Sequence, residues 1–315
     1  MKSSIRKSAE IKRDILGSFD QFSLQFEREL YERLLELISK LTNKGGVFVL
    51  DEGTFKDILK IVDEITKKYN GYAPEAKVKS ILQDFDELEK VSLNISSFLS
   101  GDLDFDKLAI DPAKKLIISD ITEKLSKPES FKNNVANDIR KIITKRAILG
   151  STTKELISDL KAATSPETGL LSRYVKQVVT DSTYQFQGNI NQQIYTTYEM
   201  DAITYANSLK ATSRKQCIRW VTDKNGLLLK EKIEQDLTYG YLPDEIKWAK
   251  NYGSGYGSPD KSYYLDLTES NFLIIRGGYG CQHEAIPFKM NLRTLERSEK
   301  LKNDYEKYRA TLPLV

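Results

Sequence analysis

The chain has 315 residues, of which 40% are hydrophobic and 30% charged, and its 48 basic and 45 acidic side chains leave a net charge of +3. That balance excludes the strong basic bias of a dedicated duplex-DNA binder, although one basic face is compatible with it. No apolar run of about 18 residues occurs, so no membrane span is predicted.

The length suggests two domains, and it is sufficient to bury a core without covalent staples. Met1 to Leu16 is charged throughout and lacks the apolar stretch of a secretory signal. Two cysteines, Cys217 and Cys281, are too few for a disulfide framework. Synthesis and assembly in a reducing cytoplasm are therefore expected. The 17 tyrosines fall mostly in the C-terminal half, a residue type favoured where one end of a side chain is dry and the other wet.

In chain order, Ile15, Phe19, Phe22, Phe26, Leu30, Leu34, Leu37 and Leu41 recur at three- and four-residue steps and predict a helix over 11–41. Gly45-Gly46 breaks it, and Val47 to Leu50 reads as extended. Phe55, Ile58, Leu59, Val62 and Ile65 give a second amphipathic helix that ends at Asn70-Gly71. A third helix is predicted from Pro74, since proline suits a first turn, to Leu99. Asp111-Pro112 opens a helix through Leu125, and a further helix covers Phe131 to Leu149. Gly150-Ser151-Thr152-Thr153 ends that helix and caps the next, Lys154 to Ala163. A long helix follows over 169–197, interrupted or weakened at Gly188. After Glu199 the chain becomes turn-rich and aromatic, with Ile203 to Ala206 and Phe272 to Ile275 read as strands. Asn291 to Tyr308 is a charged helix.

The fold class predicted is α+β, mainly α: a helical N-terminal region, then a small mixed C-terminal domain with short strands. The domain boundaries are 1–165 for the helical domain, 166–290 for a long helix plus small α+β unit, and 291–315 for a C-terminal helical tail.

Chemistry is sparse. His283 is the one histidine, so any serine or cysteine triad would depend on it. No phosphate-cradling Gly-Lys-Ser/Thr loop is present. The acids Asp84, Asp86, Glu87 and Glu89 read as a solvated helix face. No catalytic or cofactor-binding residue is assigned. Cys217, Cys281 and His283 form the one constellation of note, with Cys-x-His placing two donors where one ion would reach both. Three readings stay open: buried thiols beside a hydrogen-bonded histidine, a zinc site lacking a fourth Cys or His, and a late Cys217–Cys281 disulfide. Lys141, Lys145, Arg146 and Lys154, on neighbouring helices, are candidate DNA contacts, with a solvated face as the plainer reading.

Ordered segments in the last third carry a resemblance. Ala206-Asn207-Ser208-Leu209 precedes Thr212-Ser213-Arg214-Lys215-Gln216-Cys217. Asn225-Gly226, Leu242-Pro243-Asp244-Glu245-Ile246-Lys247-Trp248-Ala249 and the glycine-rich stretch Gly253 to Ser258 follow. Arg276-Gly277-Gly278-Tyr279-Gly280-Cys281-Gln282-His283-Glu284-Ala285-Ile286-Pro287 closes the series. This set resembles the minor head, or head morphogenesis, proteins of tailed bacteriophages and their Mu F-like relatives. The matching positions are Ser213, Arg214, Cys217, Gly277, Gly278, Tyr279, Cys281, His283 and Pro287. Gly280 stands where the pattern has asparagine and Gln282 where it has arginine.

The resemblance implies a non-enzymatic, low-copy virion head component without a cofactor. It would be assembled in the host bacterial cytoplasm against the portal, the major capsid protein or both. It would aid head assembly and DNA packaging, touch packaged DNA weakly at most, and form an oligomer only within the virion. The alternatives are an internal DNA-associated or ejected virion protein and, more remotely, a toxin-type nuclease or ADP-ribosyltransferase in the C-terminal domain.

Overall fold

A computed structural model describes residues 2–39, 43–44, 47–48, 52–72, 82–101, 103–165, 168–206, 217, 220–221, 226–230, 272–275 and 283–309. The chain is mostly helical with a small antiparallel sheet, as the change in periodicity near Glu199 predicts. The helices are α1 (Lys2–Ile38), α2 (Glu52–Tyr72), α3 (Leu82–Ser100), α4 (Ile110–Ser126), α5 (Pro128–Phe131), α6 (Asn137–Ile148), α7 (Thr153–Ala163), α8 (Leu170–Thr197), α9 (Phe272–Ile275) and α10 (Leu292–Arg309). The strands are β1 (Asn43–Lys44), β2 (Val47–Phe48), β3 (Ala202–Ala206), β4 (Leu227–Leu229) and β5 (Glu284–Phe288).

These elements form two compact units. The first comprises Met1–Lys12, Asp84–Ile117 and Asp181–Val315; the second comprises Arg13–Gln83 and Ile118–Thr180.

In the second unit the predicted apolar face of α1 is the buried one. Ile15, Phe19, Phe26, Leu30 and Leu34 are all buried. Phe26, Tyr69 and Phe131 meet at its centre. The Tyr69 and Phe131 rings stack at 4.1 Å, and Phe26 presents its edge to both, at 5.3 and 5.6 Å. The buried Tyr69 hydroxyl donates to the Leu125 carbonyl at 2.5 Å, so its polar tip is satisfied inside the core. Burial holds that phenol above its ordinary pKa. Between α5 and α6 the backbone forms one π turn, Lys132–Ala136, so the helical path continues from Pro128 to Ile148. Thr152 caps α7 reciprocally: its hydroxyl accepts from the Glu155 N–H while Glu155 accepts from the Thr152 N–H.

Glu27 of α1 acts as a cap from outside its own helix. Its carboxylate accepts from the Ser172 N–H at 3.0 Å and the Ser172 hydroxyl at 2.9 Å, in the first turn of α8. The first turn of a helix has N–H groups without intrahelical acceptors, and Glu27 supplies one. Gly169 is required there, since a Cβ would collide with the Glu27 carboxylate and the Ser165 carbonyl. Burial raises the Glu27 pKa; the Ser172 bonds and the nearby Lys176 and Arg173 oppose that rise without cancelling it.

In the first unit, three strands run in the order β4-β3-β5, all antiparallel. Tyr205 pairs with Ala285 and Ile203 with Pro287. Pro287 has no N–H to contribute, and among the described residues β5 pairs only with β3, where proline is tolerated. Every residue of β3 and β5 is buried. Strands buried on both faces read as apolar runs, and Ala202 to Ala206 does. Lys114 ties α4 to α3 through Asp86 at 2.6 Å and Glu89 at 2.7 Å. At the start of α10, Asn291 and Thr294 exchange side-chain-to-backbone hydrogen bonds at 2.9 Å.

Phe272 to Ile275 is a helical turn and not the predicted strand. An apolar run this short carries no period that separates the two states. The turn buries Phe272 and Leu273 completely. Its backbone lies so close to α8 that a Cβ on Gly188 would meet the Leu273 carbonyl oxygen at 2.5 Å. Gly188 therefore does not interrupt α8, which is continuous from Leu170 to Thr197; it admits a neighbouring backbone.

Candidate functional site

Sequence reasoning directs attention to Cys217 and His283, and both lie in the first unit against the same residue, Tyr205. The Tyr205 hydroxyl and the Cys217 sulfur are 3.4 Å apart and share a hydrogen bond. The His283 imidazole stacks on the Tyr205 ring at 5.0 Å with 11° between planes. The sheet register explains the stack. Tyr205 is opposite Ala285, so His283 is its diagonal cross-strand neighbour, within reach of aromatic side chains. All three side chains are buried.

Trp220 and Phe272 extend this cluster. Trp220 meets Tyr205 edge-on at 5.1 Å, and Phe272 meets Tyr195 edge-on at 5.3 Å. Large aromatic groups in perpendicular contact contribute packing beyond the area they bury. Helix α8 closes the cluster with polar side chains. Asn191 donates its amide to the Ala285 carbonyl at 2.9 Å, and Gln192 accepts from the Leu273 N–H at 3.0 Å. Each bond satisfies a buried backbone group of β5 or α9. These glutamine and asparagine contacts have no sequence signature; the residues look like an exposed helix face.

A buried ion pair completes the arrangement. Lys12 of α1 donates to the Glu284 carboxylate, and its ammonium lies 4.4 Å from the centre of the Tyr184 ring. Both charged side chains are almost wholly enclosed, 9% and 4% exposed. Such a pair is retained only with good geometry, because desolvating two charges costs several kcal/mol per ion. Here the geometry includes an aromatic face that attracts the cation.

Cys281, Ser213, Arg214, Gly277, Gly278 and Tyr279 lie outside the described residues. So do the predicted turn at Gly253 to Ser258 and the Leu242 to Ala249 segment. Among the described residues no group of three or more His, Cys, Asp or Glu side chains is placed to hold a metal ion. Also among them, no helix is long and apolar enough to cross a membrane.

The candidate DNA contacts are in the second unit. Arg146 is committed to Asp159 by two hydrogen bonds of 2.6 and 2.9 Å. Lys141 pairs with Asp138 at 2.7 Å. Lys145 and Lys154 are exposed. The Arg146–Asp159 bond holds the guanidinium above and the carboxyl below their ordinary pKa values.

No family model matches the chain, and neither a curated protein nor a solved structure does so. What the fold and the cluster define is an α+β unit in which Asn191, Gln192 and the Lys12–Glu284 pair join its own elements.

Proposed function

We propose that the chain is a low-copy minor head protein of a tailed bacteriophage, acting by recognition of other head proteins. One observation carries the reading. The strand that leads into the Ser213–Cys217 motif, β3, pairs over its full length with β5, which begins directly after Cys281-x-His283. Cys217 and His283 then meet the same tyrosine. The two ends of the resembling pattern thus build one small core, as expected if the pattern encodes a structural module.

Among the described residues of this core, Tyr205, Cys217, Trp220 and His283 pack on one another and Asn191 and Gln192 bond its backbone, which fits a scaffold. The partners in this reading are the portal, the major capsid protein or both, with packaged DNA touched only weakly. Cryo-electron microscopy of heads assembled with and without the chain tests it. A few copies at the portal vertex or inner wall are expected. Full-strength assembly and packaging in heads that never incorporate the chain would overturn it. The toxin-type alternative predicts hydrolysis of nucleic acid or NAD that is lost with His283→Ala.

A further inference from the structure

Helix α6 presents an outward stripe that the second unit does not use. Ile139, Ile143 and Ala147 of α6 face the core. On the opposite side, Arg140, Lys141, Thr144, Lys145, Ile148 and Leu149 line an open cleft of about 540 Å³. Steps of four residues, 140-144-148 and 141-145-149, put these side chains on one face. Two adjacent aliphatic side chains stand open at its C-terminal end, Ile148 at 66% exposure and Leu149 at 62%.

The plain explanation for cations here is the helix dipole, which favours positive charge in the last turn. It covers Lys145 and Arg146, but Arg146 turns aside to Asp159, and Arg140 lies two turns earlier. Nor does a dipole account for exposed isoleucine and leucine side by side. Asp138 offsets Lys141. The Lys145 charge also acts on Asp159, but Arg146 bonds both oxygens of that carboxylate. Arg140 has no carboxylate within ion-pair distance among the described residues, and no acid lines the cleft, so it keeps a net positive charge beside an apolar end.

We propose that this cleft docks an acidic amphipathic helix of a partner protein. Its carboxylates would meet Arg140 and Lys145, and its apolar face would cover Ile148 and Leu149. An amphipathic helix lying in an apolar groove is a recurrent recognition mode, and the cationic rim sets the sign of its charged face. Nucleic acid fits less well, because phosphates leave the two aliphatic side chains without a counterpart. An anionic lipid surface fits less well, because the lining contains no aromatic anchor. The inference stands independently of the head-protein reading.

The test uses the full chain and a fluorescein-labelled helical peptide of about fifteen residues, with leucines three and four apart and glutamates elsewhere. A counterpart with lysine for glutamate, a short duplex DNA and phosphatidylglycerol vesicles serve as competing probes. The acidic peptide is expected to bind, more weakly as salt rises. Arg140→Glu/Lys145→Glu and Ile148→Ser/Leu149→Ser should each weaken it by about tenfold or more. These positions are on the surface, and unchanged circular dichroism and thermal midpoint would show that both variants fold. No binding of the acidic peptide overturns the proposal. So does equal binding of the lysine peptide, equal binding by either variant, or binding of DNA or vesicles in place of the peptide.

Discussion

Replacing Lys12 with methionine keeps an unbranched side chain, one heavy atom shorter, and removes its charge. Glu284, 4% exposed, would then hold a carboxylate in the core of the first unit without its cation. Removing one partner of a buried pair costs about 3–5 kcal/mol, because the remaining charge loses its compensation and stays desolvated. For a cooperative unit of roughly 150–250 residues each kcal/mol moves the thermal midpoint about 2–4 °C. The first-unit transition should therefore fall by about 6–20 °C in calorimetry. Lys12→Met/Glu284→Met, which removes both charges, should recover to within about 2 kcal/mol of the wild type, since apolar replacement of a whole buried pair is often neutral. A Lys12→Met midpoint equal to that of the wild type would refute the reasoning. A double variant as unstable as the single one would do so too, because it would place the cost in packing and not in charge.

Glu27→Gln tests the buried cap of α8. Burial raises the folded-state pKa above the unfolded value, so folding takes up a proton in the window between them. The contribution of Glu27 to stability is fully present below the ordinary carboxyl pKa and is lost as pH rises through the folded value. Glutamine should flatten that part of the stability–pH curve and leave the neutral-pH midpoint unchanged or higher; a drop at pH 7 larger than at acid pH would contradict it. Gly188→Ala should destabilise by about 1–3 kcal/mol, because Leu273 must move or α8 must bend; denaturant midpoints with unchanged slope measure it, and no change would mean that α9 shifts freely. Asn191→Leu should cost about 1–3 kcal/mol by leaving the Ala285 carbonyl without its donor. Hydrogen exchange of the β5 amides reads the loosening, and undiminished protection would argue against it.

Much of the helical architecture is legible in the chain itself. The Ile15-Phe19-Phe26-Leu30-Leu34 stripe identifies the buried face of α1, because a 3.6-residue period survives any tertiary context. Thr152 with Glu155 is legible as a cap, since both partners lie within one turn. Ile203 to Ala206 reads as a strand from its β-prone run. The remainder depends on contacts that local pattern does not encode. Lys12 and Glu284 are 272 residues apart, and each looks like one more surface charge. Glu27 sits in a helix full of exposed acids and differs from them only because Ser172 meets it. Phe272 to Ile275 has the composition of a strand but is a turn of helix, and it packs where Gly188 lets two backbones touch. At the candidate site, Cys217 and His283 stand out by rarity, whereas Tyr205, the residue that brings them into one cluster, is one of 17 tyrosines.

The ion pair also sets a clock. Residues 13–180 supply everything the second unit contains, so it can close before the last strand exists. Ile5, Ile11 and Lys12 belong to the unit that also requires Glu284, and Glu284 leaves the ribosome 272 residues after Lys12. At roughly 5–20 residues per second, the opening turns of α1 wait about 14–54 s for their partner strand. During that interval the Lys12 ammonium lacks the carboxylate that it meets in the finished core. A ribosome stalled short of Glu284 would therefore carry all of the second unit and a Lys12 without its buried partner, and emergence of β5 is the step that completes the pair.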